Sequence, residues 1–137
     1  MKQERRLDLS ASADGARVAA ESVRDLFNGA GSEAAFACEL AVAEASANVV
    51  EHAFEEDGGE RRQFTLVLRL SRGRFAAAVC DRGRPFAPGS DPSLPAPGAD
   101  SGRGLALLAG CMERVRFRRV EDENRLLMAR RLRGGAR

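Results

Sequence analysis

Apolar and polar residues alternate with a period of two along QFTLVLRLS and RFAAAVCD, putting Phe64, Leu66, Leu68 and Leu70, then Phe75, Ala77 and Val79, on one side of each segment. This pattern predicts two strands, and the SRG between them predicts a tight turn that makes them a hairpin. RRLDLSAS alternates well enough for a first strand, while RVRFRRV and RLLMARRL predict a closing pair. Elsewhere the spacing changes to three and four. Val18, Val23, Leu26 and Phe27 mark a first helix from Asp14 to Asn28, with Ser12 or Asp14 as its cap and NGAG as its stop. Phe36, Leu40, Ala43, Ala47, Val50 and Phe54 recur along a second, longer helix from Ser32 to Glu55, and their shared arc is its predicted apolar face. EEDGGE breaks the chain, and GLALLAGCM predicts a short third helix. Helices beside consecutive hairpins predict an α+β two-layer sandwich, helices covering one face of the sheet.

Composition narrows the possibilities. The 137 residues, 44% hydrophobic, suit a single domain over 1–137 with a modest core. Twenty-two basic against 20 acidic residues leave a net charge of +2, too little for a general polyanion binder. Lys2 is the sole lysine, so no internal amine is available as a nucleophile. Cys38, Cys80 and Cys111 are widely spaced among apolar neighbours, which predicts buried thiols rather than a zinc site. The odd cysteine count and the lack of an apolar run after MKQERR suggest a reducing cytoplasm, and no stretch suits a membrane span.

Three segments could carry chemistry. Glu44, Asn48 and His52 follow one another at four-residue steps in EASANVVEHAF. At about 100° per residue, Glu44 and Asn48 fall roughly 80–120° from the centre of the Phe36 arc, an edge that can line a cleft. An amide oxygen and a carboxylate one turn apart suit a hard cation and a proton acceptor, although both residue types are also common on solvated helix flanks. In VCDRGRPF an apolar strand ends in Asp81, which can accept from an exocyclic amine, and Gly83 permits close approach of a ring. In SGRGLALLAGC a Gly-x-Gly leads into an apolar helix, where free amides and Arg103 could hold an anion. Taken singly, a common turn and a flexible connection explain the last two equally well. Between them, residues 84–101 hold all five prolines of the chain and no regular period, a loop of the length usually found at functional sites.

The order of these segments is more specific than any one of them. EAxxNxxxHAF, then DxGxPF, a proline-rich loop and GxGLxLL together resemble the GHKL (Bergerat-fold) ATPases, and within them the small anti-sigma factor serine kinases. The resemblance covers essentially the whole chain. It implies a mixed, mostly antiparallel sheet, with ATP and Mg²⁺ as cofactors. It also implies Glu44 as catalytic base, Asn48 as magnesium ligand, and Asp81 with Gly83 at the adenine. Gly102, Arg103, Gly104 and Leu105 would bind phosphate, and 84–101 would form the lid. His52, Ala53 and Phe54 match the HAF that commonly closes the helix motif. The implied partners are an anti-sigma factor antagonist, phosphorylated on serine, and a sigma factor, with the kinase typically a homodimer. One departure stands out: Asn124 and Arg125 occupy the place of the family's Gly-Thr before the final strand.

Two rival functions use the same residues differently. A nucleotide-dependent binding module without chemistry would need no base, so Glu44 weighs against it while Asn124 and Arg125 weigh for it. A nucleic-acid surface could use Arg114, Arg116, Arg118, Arg119, Arg130, Arg131 and Arg133, of which Arg114, Arg116 and Arg118 alternate onto one strand face. With no tryptophan or tyrosine to stack bases and little net charge, a solvated sheet is the plainer account, and neither nucleic acid nor membrane is an expected partner.

Overall fold

The computed structural model describes residues 2–29, 31–53, 62–84 and 100–132, with side chains given except at 52–53 and 100–105. Five strands make one sheet in the order β1-β2-β3-β5-β4: β1 Lys2–Ser10, β2 Gln63–Ser71, β3 Arg74–Asp81, β4 Arg114–Val120 and β5 Glu123–Arg131. Every pairing is antiparallel. The helices are α1 Ala13–Leu26, α2 Glu33–Asn48, continued by a π-helical turn over Val49–Ala53, and α3 Asp100–Cys111. The α+β sandwich expected from the sequence is thus the architecture found.

The period-two pattern works because one face of the sheet is covered and the other is not. One cross-strand row runs Leu7, Leu66, Val79, Leu126, Phe117, and the next runs Arg5, Leu68, Ala77, Met128, Val115. From these rows Leu66, Leu68, Ala77, Val79, Leu126 and Met128 are buried against α1 and α2 residues such as Val23, Leu26 and Val42. Full burial of each such Leu or Val contributes roughly 1.5–3 kcal/mol. On the opposite face, a broad depression of about 1140 Å³ is floored by small residues including Val67, Ala76, Ala78 and Leu127, with Arg6 and Arg116 at its sides.

Local chemistry sets the helix ends. Ser12 caps α1, its hydroxyl accepting from the Gly15 N–H at 3.1 Å, so Ser12 rather than Asp14 is the cap. A Cβ on Gly15 would lie 1.8 Å from the Ser10 carbonyl oxygen, which explains a glycine in the first turn, where α1 closes onto the end of β1. The α1 stop is a Schellman motif: Asn28 takes φ 57°, its N–H bonds the Asp25 carbonyl at 2.9 Å, and the Gly29 N–H bonds that of Arg24 at 2.9 Å. Ser32 caps α2 through the Ala35 N–H at 3.1 Å.

The apolar face expected for α2 requires correction. Its buried residues are Ala35, Cys38, Ala41, Val42, Ala45, Ser46 and Asn48, whereas Phe36 is 64% exposed. Leu40, Ala43, Ala47 and Val50 are only half-buried, and Phe54 lies outside the described residues. The packed arc lies roughly 160° around the helix from the expected one. Small side chains face the sheet because they let α2 approach closely, and bulky residues mark the wrong side when a helix is apolar almost all round.

Candidate functional site

One row of the covered face breaks the apolar pattern. It runs Leu9, Phe64, Asp81, Asn124, Arg119 across all five strands and lies at the end of the sheet where β3 finishes. Asp81 and Asn124 occupy positions whose parity belongs to the core, and they are 6% and 2% exposed. Buried polar groups need partners, and here they supply one another. Asn124 Nδ2 donates to Asp81 Oδ1 at 2.9 Å and to the Arg84 carbonyl at 2.8 Å. The Gly83 N–H donates to the same Asp81 Oδ1 at 2.8 Å. Arg119 Nη1 donates to Asn124 Oδ1 at 2.8 Å and to the Gly83 carbonyl at 3.0 Å.

Asp81 therefore commits one carboxylate oxygen, while Oδ2 has no hydrogen-bond partner among the described residues. Burial raises the Asp81 pKa above the usual carboxylate range; the Asn124 and Gly83 hydrogen bonds and the Arg119 charge pull it back. A strand-end carboxylate with one oxygen engaged and the other open can receive a ligand N–H donor.

Connectivity brings the other candidate segments to the same end. Residue Ala11 donates its N–H to the Arg62 carbonyl at 2.8 Å, just before β2 places Phe64 opposite Asp81. Arg62 Nη2 in turn reaches the Val50 carbonyl at 3.4 Å, which fixes the π-helical end of α2 beside that edge. Asn48, immediately before this turn, is 6% exposed, and its side chain has no hydrogen-bond partner among the described residues. Glu44 sits one turn earlier, half-buried. A π-helical turn carries one more residue per turn than the α-helix around it, and such insertions are frequent at functional sites. The Glu44 and Asn48 edge survives the exchange of faces on α2, because it borders both arcs.

Helix α3 packs beside α2 and leads through Met112 into β4, whose first residue pairs with Ala129 far from Asp81. Its C-terminal end thus lies at the opposite end of β4 from Arg119. The helix begins at Asp100, so Gly102, Arg103, Gly104 and Leu105 lie within its first turns rather than ahead of them. An α-helix leaves the N–H groups of its first residues unbonded, here those of Asp100, Ser101 and Gly102. Residues 85–99 of the expected lid, and Phe54, lie outside the described residues. His52 and Ala53 fall in the π-helical turn, their side chains outside the description.

Sequence reasoning placed Arg119 only among the surface arginines and treated Asn124 only as a departure. The missing signal was register: Leu126 and Met128 fix the parity of β5 and Val115 and Phe117 that of β4, which turns Asn124 and Arg119 inward. Among the described residues no three His, Cys, Asp or Glu side chains gather as a metal site. No helix among them is long and apolar enough to cross a membrane.

The fold has a counterpart in a known structure. The structure of the RsbU and RsbW domains of Rv1364c from Mycobacterium tuberculosis superposes with a TM-score of 0.68 at 20% identity, covering 95% of this chain and 32% of that one. The likeness is one of fold, and the present chain spans about a third of that longer polypeptide. No curated protein sequence matches at a significant level. The family model of the histidine kinase-like ATPase domain matches residues 8–130, from β1 through nearly all of β5. With that match spanning the five-stranded sheet and the polar row at its end, the chain belongs to the histidine kinase-like ATPase domain family.

Proposed function

We propose that this chain binds MgATP at the Asp81 end of the sandwich and transfers phosphate to a serine of an anti-sigma factor antagonist, alternating with the docking of a sigma factor, as a homodimer in the cytoplasm. The observation that carries this reading is the polar row: a buried aspartate with one oxygen fixed and one open, at the sheet end beside which α2 finishes. The residues suit the cofactor. Asp81 Oδ2 can accept from the exocyclic amine of adenine, and Gly83 leaves room beside it for the ring. The buried amide of Asn48 offers a hard oxygen ligand to Mg²⁺.

Bound MgATP supplies the phosphoryl group, and catalysis of its transfer is mainly positioning and charge stabilisation. Glu44, one turn before Asn48, orients the attacking serine hydroxyl and accepts its proton. Free backbone amides at the start of α3, up to Gly102, would hold the phosphates, with Arg103 as a source of positive charge and Gly104 and Leu105 following within the helix. The sequence resemblance assigns 84–101 to a lid over the phosphates, of which Asp100 and Ser101 are instead the first residues of α3. The antagonist and sigma factor enter this reading through the sequence resemblance to anti-sigma factor serine kinases.

Purified chain incubated with radiolabelled ATP, Mg²⁺ and a candidate antagonist tests the chemistry. Glu44→Ala is expected to keep ATP affinity within about twofold while transfer falls by at least about a hundredfold, the upper part of the usual general-base contribution. Equal transfer by the variant removes Glu44 from the mechanism. ATP binding with no transfer by the wild type identifies a nucleotide-dependent binding switch instead.

A further inference from the structure

Asp81, Gly83, Arg119 and Asn124 are joined head to tail. Gly83 N–H bonds Asp81 Oδ1, Arg119 Nη1 bonds the Gly83 carbonyl and Asn124 Oδ1, and Asn124 Nδ2 returns to Asp81 Oδ1. This circuit joins β3, β4 and β5. Both amide hydrogens of Asn124 are used, the second on the Arg84 carbonyl, so Asn124 has no donor left for a ligand. Arg119 is exposed at the sheet edge, and its guanidinium also spans to the Glu121 carbonyl at 3.2 Å across the β4-β5 turn.

We propose that Arg119 and Asn124 are a positioning pair that holds Asp81 with Oδ2 turned to the ligand, and so give the site its preference for a purine carrying a 6-amino group. The proposal rests on the nucleotide reading above and adds to it the residues that set base selectivity. Three constraints meet on Asp81. Its Oδ1 is held by two donors, so the carboxylate cannot rotate without losing both. The amide of Asn124 cannot flip, because a flipped amide would aim its oxygen at the carboxylate and at the Arg84 carbonyl and its N–H groups at the guanidinium. Arg119 and Asn124 together pin the Gly83 and Arg84 carbonyls, fixing where the chain leaves β3. Networks of this kind act as a unit, so loss of the exposed member loosens the buried ones.

Burial disfavours the ionised form of Asp81 and Glu123 on β5 opposes it further, while the Asn124 and Gly83 hydrogen bonds and the Arg119 charge on β4 work in its favour; Cys80 adjoins it on β3. Removing Arg119 or the Asn124 donor therefore shifts the Asp81 titration upward.

The test uses the full chain with two probes, MgATP and the Mg²⁺ complex of purine riboside triphosphate, which lacks only the 6-amino group. It also follows the Asp81 carboxyl titration by carbon-13 NMR without nucleotide. Arg119→Met, at an exposed position, is expected to narrow the ATP preference by about fivefold or more, in line with losing a charge-assisted hydrogen bond, and to raise the Asp81 midpoint. Arg119→Lys, which keeps a cationic donor, should restore most of both, and Asn124→Leu should reproduce the Met variant. An unchanged probe ratio and unchanged midpoint in folded Arg119→Met overturn the pair while leaving the nucleotide reading intact. No ATP binding by the wild type overturns the nucleotide reading, and base selection with it, even where the midpoint moves.

Discussion

Asp81 is the residue where function and stability pull apart. Its buried carboxylate has a pKa above the ordinary value, so the folded state holds a proton more tightly than the unfolded chain does. The resulting cost to stability is fully present above the folded-state pKa and is relieved as the pH falls through it toward the unfolded value. Asp81→Asn keeps an oxygen to accept from Asn124 and Gly83 while removing the charge. We expect the variant at pH 7 to be as stable as the wild type or up to about 1 kcal/mol more so, the gap closing on acidification. Paired urea titrations at several pH values measure this, and a large loss of stability at neutral pH would contradict it. Sequence alone could single out Asp81 and Asn48 as candidates because their motifs are local. Asn124 was visible too, as a residue standing where Gly-Thr is usual. Its meaning was hidden, since a hydrogen bond between residues 43 positions apart depends on strand register.

At the scale of elements, strands were more legible than helix faces. QFTLVLRLS, RFAAAVCD and RVRFRRV coincide with β2, β3 and β4 residue for residue, because alternation reports a sheet with one covered face. The sheet order, with β5 between β3 and β4, was not legible, since pairing of β3 with β5 follows from long-range packing. Helix α2 exposed the limit of periodicity: a helix apolar on both sides offers no contrast, and Phe36, itself exposed, drew the reading to a face that is only half-buried. By contrast α1 is tied down by a local contact. Gly15→Ala places a methyl group against the Ser10 carbonyl oxygen, and the collision has no flexible side chain to absorb it. A loss of about 2 kcal/mol or more follows from such overpacking, read as a lower denaturation midpoint at unchanged slope. Wild-type stability in this variant would mean that α1 does not close onto the end of β1 as described.

Across the whole molecule, the candidate site lies where antiparallel connections leave their ends. The α2 terminus meets the edge where β3 finishes, because Arg62, just before β2, bonds both Ala11 and the Val50 carbonyl. The first two motifs lie 37 residues apart, from Glu44 to Asp81, and their meeting was inferable from sequence only through family resemblance. The opposite, uncovered face carries Arg6, Arg69, Arg116 and Arg125 around a floor of small apolar residues. Arg69 pairs with Glu4 at 2.6 Å and Arg125 with Glu123 at 2.6 Å, which accords with a solvated face rather than a nucleic-acid surface.

The central claim is that the polar row at the end of the sheet is a nucleotide site. Its most direct test is an equilibrium titration of the purified chain with ATP, with and without Mg²⁺, beside folded Asp81→Asn. Mg²⁺-dependent saturation by the wild type, lost in the variant, is the result expected. No binding at millimolar ATP, or equal binding by both proteins, would contradict the account.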